Sequence, residues 1–257
     1  MAALWDPGQY LKFADARRQP ALDLLARIAL SAPREIFDLG CGTGNVTLLL
    51  HQRWPEARIT GIDNSASMLG QRAADLPQLH WVEHDLATWQ PGAAADLVFS
   101  NAALHWLPRH DELLPRLVSY LAPGGVLAIQ MPRNFSAPSH LLITEVARAG
   151  PWASRLEPLL RPPPVESPSY YYRLLEPLVQ ALTIWDTEYL QALTGPDPVK
   201  EWVKGSWLKP LLDALEAPDR ALFEAEYARR LRIAYPVQSN GVTLFPFRRL
   251  FLIAQQR

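Results

Sequence analysis

A glycine-rich turn between an apolar strand and a helix constrains this chain more than any other feature. Residues 35–39 (Glu-Ile-Phe-Asp-Leu) have the pattern of a short buried strand with an acid near its end. Gly40, Gly42 and Gly44 follow, and the apolar run 46–50 has helical character. Glycine lets a backbone turn sharply and lets a ligand approach it closely. A strand, a glycine turn and a helix start in this order predict a nucleotide-cofactor site at the carboxyl end of the strand.

The spacing of the glycines bears on which cofactor binds. A dinucleotide fingerprint has the order G-x-G-x-x-G and places a pyrophosphate on the helix N-terminus. Here Asp38 precedes glycines at every second position, Gly40, Gly42 and Gly44. A carboxylate at Asp38 would repel a pyrophosphate but suits a cationic ligand. A nicotinamide-dependent dehydrogenase is therefore a poor alternative.

The composition restricts the class of protein. The 257 residues suit one domain, or a core with an inserted cap. The 25 basic and 26 acidic residues nearly cancel, which argues against a nucleic-acid binder that relies on overall basic charge. Cys41 is the single cysteine, so no intramolecular disulfide is expected, and no metal site is predicted. Without a signal-peptide pattern or a run of about 18 apolar residues, we expect a cytoplasmic protein with no membrane segment.

Strands and helices alternate along the first half of the chain. Strands are expected at 58–63, 79–86, 95–101 and, after a Pro-Gly-Gly turn, 126–131, with a helix at 45–53 among the connections. Later helices are expected at 137–149 and 170–180, and strands at 182–190 and 242–254. This order predicts an α/β fold, a Rossmann-like doubly wound seven-stranded sheet with a helical cap. The predicted parts are a cofactor-binding core at 1–135, whose N-terminal helical region (5–30) breaks at Pro20, and 136–257, the rest of the sheet with a cap insertion over the active site.

The first motif, an acid followed by G-x-G-x-G, resembles that of the class I S-adenosylmethionine-dependent methyltransferases. Longer stretches along nearly the whole chain resemble the bacterial trans-aconitate 2-methyltransferases. Examples are Tyr10-Leu-Lys-Phe13, Ile59-Thr-Gly-Ile-Asp63, Gln130-Met-Pro132, Trp202-Val203 and Arg249-Leu-Phe251. The resemblance implies methyl transfer from S-adenosylmethionine to a carboxylate of trans-aconitate or a similar small polycarboxylate, with S-adenosylhomocysteine and a methyl ester as products.

The resemblance also implies which residues meet the ligands. Asp63, which lies 19 residues after Gly44, would accept the ribose hydroxyls. Asp85 would take the adenine amino group, with Leu86 beside it. The full set of expected cofactor contacts is Tyr10, Arg17, Asp38, Gly40, Gly42, Gly44, Asp63, Asn64, Met68, Asp85, Leu86 and Asn101.

A small polyanion needs several converging donors. The candidates for binding it are His105, Asn134, Tyr171, Tyr172, Lys204 and Arg249. A carboxylate is already ionised at pH 7, so no general base is required and no catalytic residue is nominated. Four departures from the family pattern, at His105, Gln191, Trp207 and Lys209, bear on the exact acceptor more than on the reaction.

Two alternatives remain open at this point. The first is a methyltransferase for a carboxylate on a carrier protein of the malonyl type, which would want a basic docking patch such as Arg229-Arg230 with Arg232. The second is an S-adenosylmethionine-binding protein without catalysis. No nucleic acid, membrane or obligate protein partner is expected.

Overall fold

The structure is a computed structural model that describes residues 14–72 and 75–257, with side chains from residue 18 onward. The chain forms two compact units. We call residues 15–132, 164–187 and 249–257 the sheet unit, and residues 133–163 and 188–248 the insertion unit. The predicted division at residue 135/136 into a cofactor-binding core and a cap over the active site stays a prediction, because it concerns roles as well as boundaries.

The helices and strands follow the order expected from the sequence. The strands are β1 (Glu35–Leu39), β2 (Arg58–Asp63), β3 (Leu79–Glu83), β4 (Ala95–Asn101), β5 (Leu121–Pro132), β6 (Ala181–Leu193) and β7 (Thr243–Gln255). The α-helices are α1 (Ala14–Ala26), α2 (Asn45–Arg53), α3 (Ala66–Leu69), α4 (His110–Ser119), α5 (Pro138–Ala149), α6 (Ala153–Leu156), α7 (Pro168–Leu175), α8 (Pro198–Lys204), α9 (Lys209–Asp213) and α10 (Ala217–Ala234). Short 3-10 helices cover Leu104–Trp106, Glu157–Leu159 and Glu176–Leu178.

The seven strands form one sheet in the order β3-β2-β1-β4-β5-β7-β6. Strands β1 to β5 pair in parallel, and β7 pairs with β5 antiparallel. The predicted doubly wound α/β sheet of seven strands is therefore confirmed. The carboxyl ends of the five parallel strands meet at one edge, which is where ligands bind in open sheets of this kind.

The central strands are buried because they are apolar on both faces. Ile36, Leu97, Val98 and Leu127 have no exposed surface. Nearly continuous apolar runs are typical of parallel strands that are covered on both sides, and they distinguish such strands from the alternating pattern of a half-exposed sheet. The sequence pattern therefore identified these strands correctly.

Two local expectations were wrong. Pro20 does not end a helix, because it lies inside α1. Next to it, Ala21 and Leu24 are fully buried, so packing of the helix offsets the hydrogen bond that proline removes. The Pro-Gly-Gly turn that was predicted before residue 126 is instead part of β5, which begins at Leu121. The register shifts there, since β4 advances from Ala95 to Leu97 while β5 advances from Leu121 to Val126.

The insertion unit has its own core, built from helices α5, α8 and α10 and aromatic side chains. Tyr227 on α10 donates its hydroxyl hydrogen bond to the carbonyl of Ser139. The amide of the same serine donates to the Tyr235 hydroxyl at 3.1 Å. Trp202 packs edge-on against Phe245, with ring centroids 5.9 Å apart. In the described ranges, no helix is long and apolar enough to cross a membrane.

A buried hydrogen-bonded chain joins α7 to α4 in the sheet unit. The amide of Glu166 donates to the Tyr171 hydroxyl at 3.1 Å, and that hydroxyl lies 2.6 Å from Nδ1 of His110. Nε2 of His110 lies 3.0 Å from the carbonyl of Leu104. Only one assignment satisfies every group: Nε2 carries the proton and donates to Leu104, so Nδ1 accepts from the tyrosine. Burial lowers the pKa of His110, which is consistent with a neutral ring.

We predict that Tyr171→Phe destabilises the protein, because His110 and the Glu166 amide both lose a buried partner. Leaving such groups unpaired costs about 2 kcal/mol, which corresponds to a fall in Tm of about 4–8 °C for a chain of this size. Thermal unfolding followed by circular dichroism measures it. Tyr172→Phe is the matched control, since the neighbouring ring is 52% exposed and should leave Tm unchanged. Equal melting of Tyr171→Phe and the parent protein would contradict the structural role of this hydroxyl.

Candidate active site

The glycine turn between β1 and α2 has room for backbone only. Gly40, Gly42 and Gly44 have φ of +75°, +57° and +77°, which is the left-handed region that favours glycine. A Cβ at Gly40 would lie 2.1 Å from the Cβ of Ala103, and one at Gly44 would lie 2.3 Å from the indole of Trp81. The three glycines therefore form a cradle that side chains would fill, as a close-binding cofactor requires.

Asp63 at the end of β2 holds this turn in place. One of its carboxylate oxygens accepts a hydrogen bond from the Gly42 amide at 2.9 Å, and the other accepts from the Ser65 amide at 2.9 Å. Ser65 in turn caps α3 by accepting from the Met68 amide at 3.4 Å. Carboxylate oxygens have further lone pairs, so these bonds leave capacity for ribose hydroxyls. The structure thus places Asp63 beside the glycine turn, and Met68 lies there too, with its Cε 3.3 Å from where a Cβ at Gly42 would be. The contacts of Asp63, Asn64 and Met68 with the cofactor stay predictions.

Asp38, the acid that precedes the glycines, is 1% exposed. The Thr47 hydroxyl on α2 donates to its carboxylate at 2.6 Å. Burial raises the pKa of Asp38 to about 7; the Thr47 hydrogen bond opposes the shift, and the nearby charge of Asp63 adds to it. An acid in this state gains from a cationic ligand, because a positive charge nearby stabilises the ionised form. The turn and its two carboxylates therefore fit S-adenosylmethionine, which carries positive charge.

Asp85 and Leu86 follow β3 at the same edge of the sheet. Asp85 is exposed, and one of its carboxylate oxygens accepts from the Ala87 amide at 2.8 Å, as in an Asx turn. The carbonyl of Leu86 accepts from the Arg116 guanidinium at 3.0 Å. These bonds fix the backbone of the loop, and the predicted contact with adenine stays a prediction. Tyr10 and the side chain of Arg17 lie outside the described residues.

A second group of polar side chains lies at the ends of β4 and β5 and on β7. We call Asn101, His105, Gln130 and Arg249 the polar cluster. Asn101 pairs with Gln130 in the sheet, so the two side chains share one face. The guanidinium of Arg249 donates to the amide oxygen of Gln130 at 3.4 Å. His105, Gln130 and Arg249 are each at least nine-tenths buried.

Burial and the positive charge of Arg249 determine the protonation state of His105 in the polar cluster. Burial lowers the pKa of His105 to about 3, with smaller contributions from the charges of Arg249 and His110. His105 is therefore neutral at pH 7 and has both a donor and an acceptor nitrogen. Its ring packs against Trp106 with centroids 4.6 Å apart. Nδ1 of His105, Nε2 of Gln130 and Oδ1 of Asn101 are buried and have no hydrogen-bond partner among the described residues.

The backbone between Asn101 and His105 is strained. Ala102 has φ of +55°, which is rare for a residue with a side chain. Its amide donates to the carbonyl of Gln130 at 2.9 Å. Strained residues of this kind persist where the surrounding structure requires them, often beside an active site. The turn after β4 therefore has a defined, strained backbone, and it lies at the same edge of the sheet as the glycine turn.

Three of the other predicted substrate residues, Tyr171, Asn134 and Lys204, have hydrogen-bond partners within their own unit. In the sheet unit, Tyr171 is fully buried and bonded to His110, whereas Tyr172 is exposed. In the insertion unit, Asn134 accepts from the Arg248 amide at 3.1 Å, and Lys204 donates to Glu224 at 2.8 Å. Their roles in binding substrate stay predictions. Trp207 and Lys209, which depart from the family pattern, contact Phe135 and Asp213 in that unit.

Gln130 is the site residue that the sequence reasoning missed. It interrupts the apolar run 126–131 inside a strand that was already predicted to be buried. A polar side chain in such a strand requires a partner. That interruption was the available signal, although the partner on β7 lies more than 100 residues away in the sequence.

The sequence is similar to a methyltransferase family model and to full-length relatives. Residues 36–125 match the model of a family described as "Methyltransferase domain". Trans-aconitate 2-methyltransferase from Azoarcus sp. (strain BH72) is 48% identical over 250 residues, which are 97% of this chain and 98% of that relative. Trans-aconitate 2-methyltransferase from Streptomyces avermitilis is 47% identical over 262 residues, which are 98% of this chain and 97% of that relative.

Solved structures with this fold are more distant in sequence. The YcgJ protein from Bacillus subtilis superposes with a TM-score of 0.59 at 15% identity, over 93% of this chain and 99% of that one. Phosphoethanolamine N-methyltransferase 2 from Haemonchus contortus, solved in complex with S-adenosyl-L-methionine, gives a TM-score of 0.56 at 13% identity, over 93% of this chain and 53% of that one. At these identities the likeness shows the fold alone.

The raised pKa of Asp38 predicts that cofactor affinity depends on pH. Below pH 7 the Asp38 carboxyl is mostly protonated and attracts a cation weakly; above pH 7 it is ionised. If a bound cation lowers this pKa by two or more units, affinity rises about tenfold from pH 6 to pH 8. Isothermal titration calorimetry with S-adenosylhomocysteine measures it.

The control is Asp38→Asn, which keeps the shape of the side chain but does not titrate. Titration of the ligand's own amino group affects both proteins alike, so the difference between their pH profiles isolates Asp38. Identical profiles for the two proteins would show that Asp38 does not interact with the cationic part of the cofactor.

Proposed function

Because the chain belongs to the trans-aconitate 2-methyltransferase family, we propose that it methylates a carboxylate of trans-aconitate and so forms a methyl ester. The chain is an S-adenosylmethionine-dependent methyltransferase. What we propose is the identity of the acceptor, trans-aconitate. The observation that carries it is the polar cluster, in which a buried guanidinium lies beside neutral donors at the same edge of the sheet as the glycine turn.

The chemistry of the acceptor explains why we propose no general base. A carboxylate is ionised at pH 7, so its oxygen needs no deprotonation before it reacts. When bound, S-adenosylmethionine supplies a methyl group on a sulfonium: the carboxylate oxygen bonds to the methyl carbon, the carbon–sulfur bond breaks, and the electron pair stays on sulfur. The protein then contributes mainly by orienting the two reactants at about 3 Å.

The polar cluster supplies groups for this task. Arg249 has the planar fork that binds carboxylates in a bidentate manner. His105 is neutral at pH 7 because of its lowered pKa, so it offers a hydrogen bond without adding charge. Burial of both side chains excludes water, which strengthens their interaction with an anion.

The carrier-protein alternative depends on the arginines of α10 in the insertion unit, and each of them already has an acidic partner. Arg229 pairs with Glu226 at 2.7 Å, Arg230 also with Glu145 at 3.2 Å, and Arg232 with Asp197 at 2.7 Å. These ion pairs compensate the basic charge, so we favour the small carboxylate. The absence of an obligate protein partner and the cytoplasmic location stay predictions.

An acceptor assay tests the proposal. The purified protein is incubated with methyl-labelled S-adenosylmethionine and, in parallel, trans-aconitate, cis-aconitate, citrate, isocitrate or malonyl carrier protein. Methyl esters release labelled methanol in alkali, so volatile base-labile label is counted. We expect label chiefly with trans-aconitate. Label on the carrier protein alone, or on no acid at all, would refute the proposed acceptor.

Arg249→Lys is expected to raise the KM for trans-aconitate about tenfold, because lysine keeps the charge but loses the bidentate fork. Steady-state kinetics measures KM, and the affinity for S-adenosylhomocysteine shows that the variant is folded. Arg248→Lys is the control, since the adjacent arginine is exposed. If the two variants have the same KM, Arg249 does not bind the acceptor.

A further inference from the structure

Gln130 has a feature that the proposed function leaves unexplained. Its side chain has no exposed surface and lies near the carboxyl end of β5, two residues before Pro132. Its amide oxygen accepts from Arg249 at 3.4 Å, whereas Nε2 has no hydrogen-bond partner within the described ranges. A buried donor without a partner lowers stability, and native proteins keep few of them. A donor of this kind at the ligand-binding edge of the sheet is expected to find its partner in a ligand.

The orientation of the amide follows from its neighbour. If the amide were turned over, its NH2 group would face the guanidinium, and two donors would oppose each other. The orientation with the oxygen toward Arg249 is therefore required by chemistry. It leaves the NH2 group to point elsewhere, on the face of the sheet that Asn101 shares.

We propose that Gln130 determines acceptor specificity: its Nε2 donates to a substrate carboxylate that is not methylated, and its Oε1 orients the Arg249 guanidinium toward the same carboxylate. The inference rests on the proposed function, since it assumes a polycarboxylate acceptor. An amide hydrogen and a guanidinium fork together match the several lone pairs of one carboxylate.

The chemistry separates the held carboxylate from the reacting one. A carboxylate paired with a guanidinium has its charge offset, which makes its oxygens weaker nucleophiles. The reacting carboxylate therefore belongs near the neutral side chains of the cluster, Asn101 and His105. An acceptor must then carry at least two carboxylates, one held by Gln130 and Arg249 and one that receives the methyl group.

The test uses the full-length protein and three acids that differ in their carboxylates: trans-aconitate, glutaconate and crotonate, with three, two and one. The variants are Gln130→Met, which removes both hydrogen-bonding atoms at similar volume, and Gln130→Glu, which keeps the shape but repels an anion. We expect either variant to raise the KM for trans-aconitate and glutaconate about 10- to 100-fold, with a smaller change in kcat. The ratio of kcat/KM between glutaconate and crotonate should fall toward unity.

Two controls separate this role from a structural one. Gln52→Met changes an exposed glutamine on α2 and should leave all constants unchanged. The affinity for S-adenosylhomocysteine reports folding of each variant, and Gln130→Glu tests the idea even if Gln130→Met fails to fold. A merely structural glutamine would not change the discrimination between acids with different numbers of carboxylates.

The outcomes distinguish this inference from the proposed function. If the parent protein methylates none of these acids or the other polycarboxylates, the proposed acceptor is wrong and the role of Gln130 falls with it. If the parent protein is active and the Gln130 variants keep its KM and its discrimination, the proposed function stands and the inference about Gln130 is overturned.

Discussion

The turn between β1 and α2 depends on the absence of side chains at three positions. At Gly40 and Gly44 an added Cβ would collide with Ala103, which follows β4, and with Trp81, which lies in the middle of β3. The amides of Gly40 and Cys41 both donate to the carbonyl of Ile62, at 2.7 and 3.1 Å. The backbone of the turn is thus held by neighbouring strands, and this is why a flexible glycine sequence forms a defined cradle.

Opposite charges occupy different parts of the sheet edge. Asp38 and Asp63 lie at the ends of β1 and β2, beside the glycine turn, whereas Arg249 lies on β7 next to β5. A cationic cofactor and an anionic acceptor each find the opposite charge in this arrangement. Burial of Asp38 makes its ionised form costly in the absence of ligand, as the raised pKa shows.

A buried hydrogen-bonded chain holds the turn that carries His105. Leu104 is fully buried, and its carbonyl accepts from His110, which is held by the Tyr171 hydroxyl. Side chains that contact substrate work best when their own positions are fixed by packing and hydrogen bonds. Tyr171 thus belongs to the hydrogen-bonded chain next to the turn that carries His105, and its role in binding substrate stays a prediction.

Much of the fold, and the arrangement of residues around the glycine turn, was predictable because the signals are local. Strand β4 and helix α2 have the predicted bounds, since an apolar run and a glycine turn each span only a few residues. Asp38, the three glycines and Asp63 lie together as expected, because parallel strands bring their carboxyl ends to one edge. Pro20 was misjudged since burial of the helix around it is a tertiary effect.

The sequence by itself determined the class of fold, the order of the strands along the chain and the residues that form the glycine turn, because these follow from local backbone preferences and hydrophobic periodicity. Only the tertiary structure decided which polar side chains share a site. Tyr171 and Tyr172 are adjacent in sequence, yet one is buried and the other exposed. Gln130 and Arg249 are distant in sequence, yet antiparallel pairing of β5 with β7 brings them into contact. Strand pairing and burial determine which side chains meet, and no local sequence pattern contains that information.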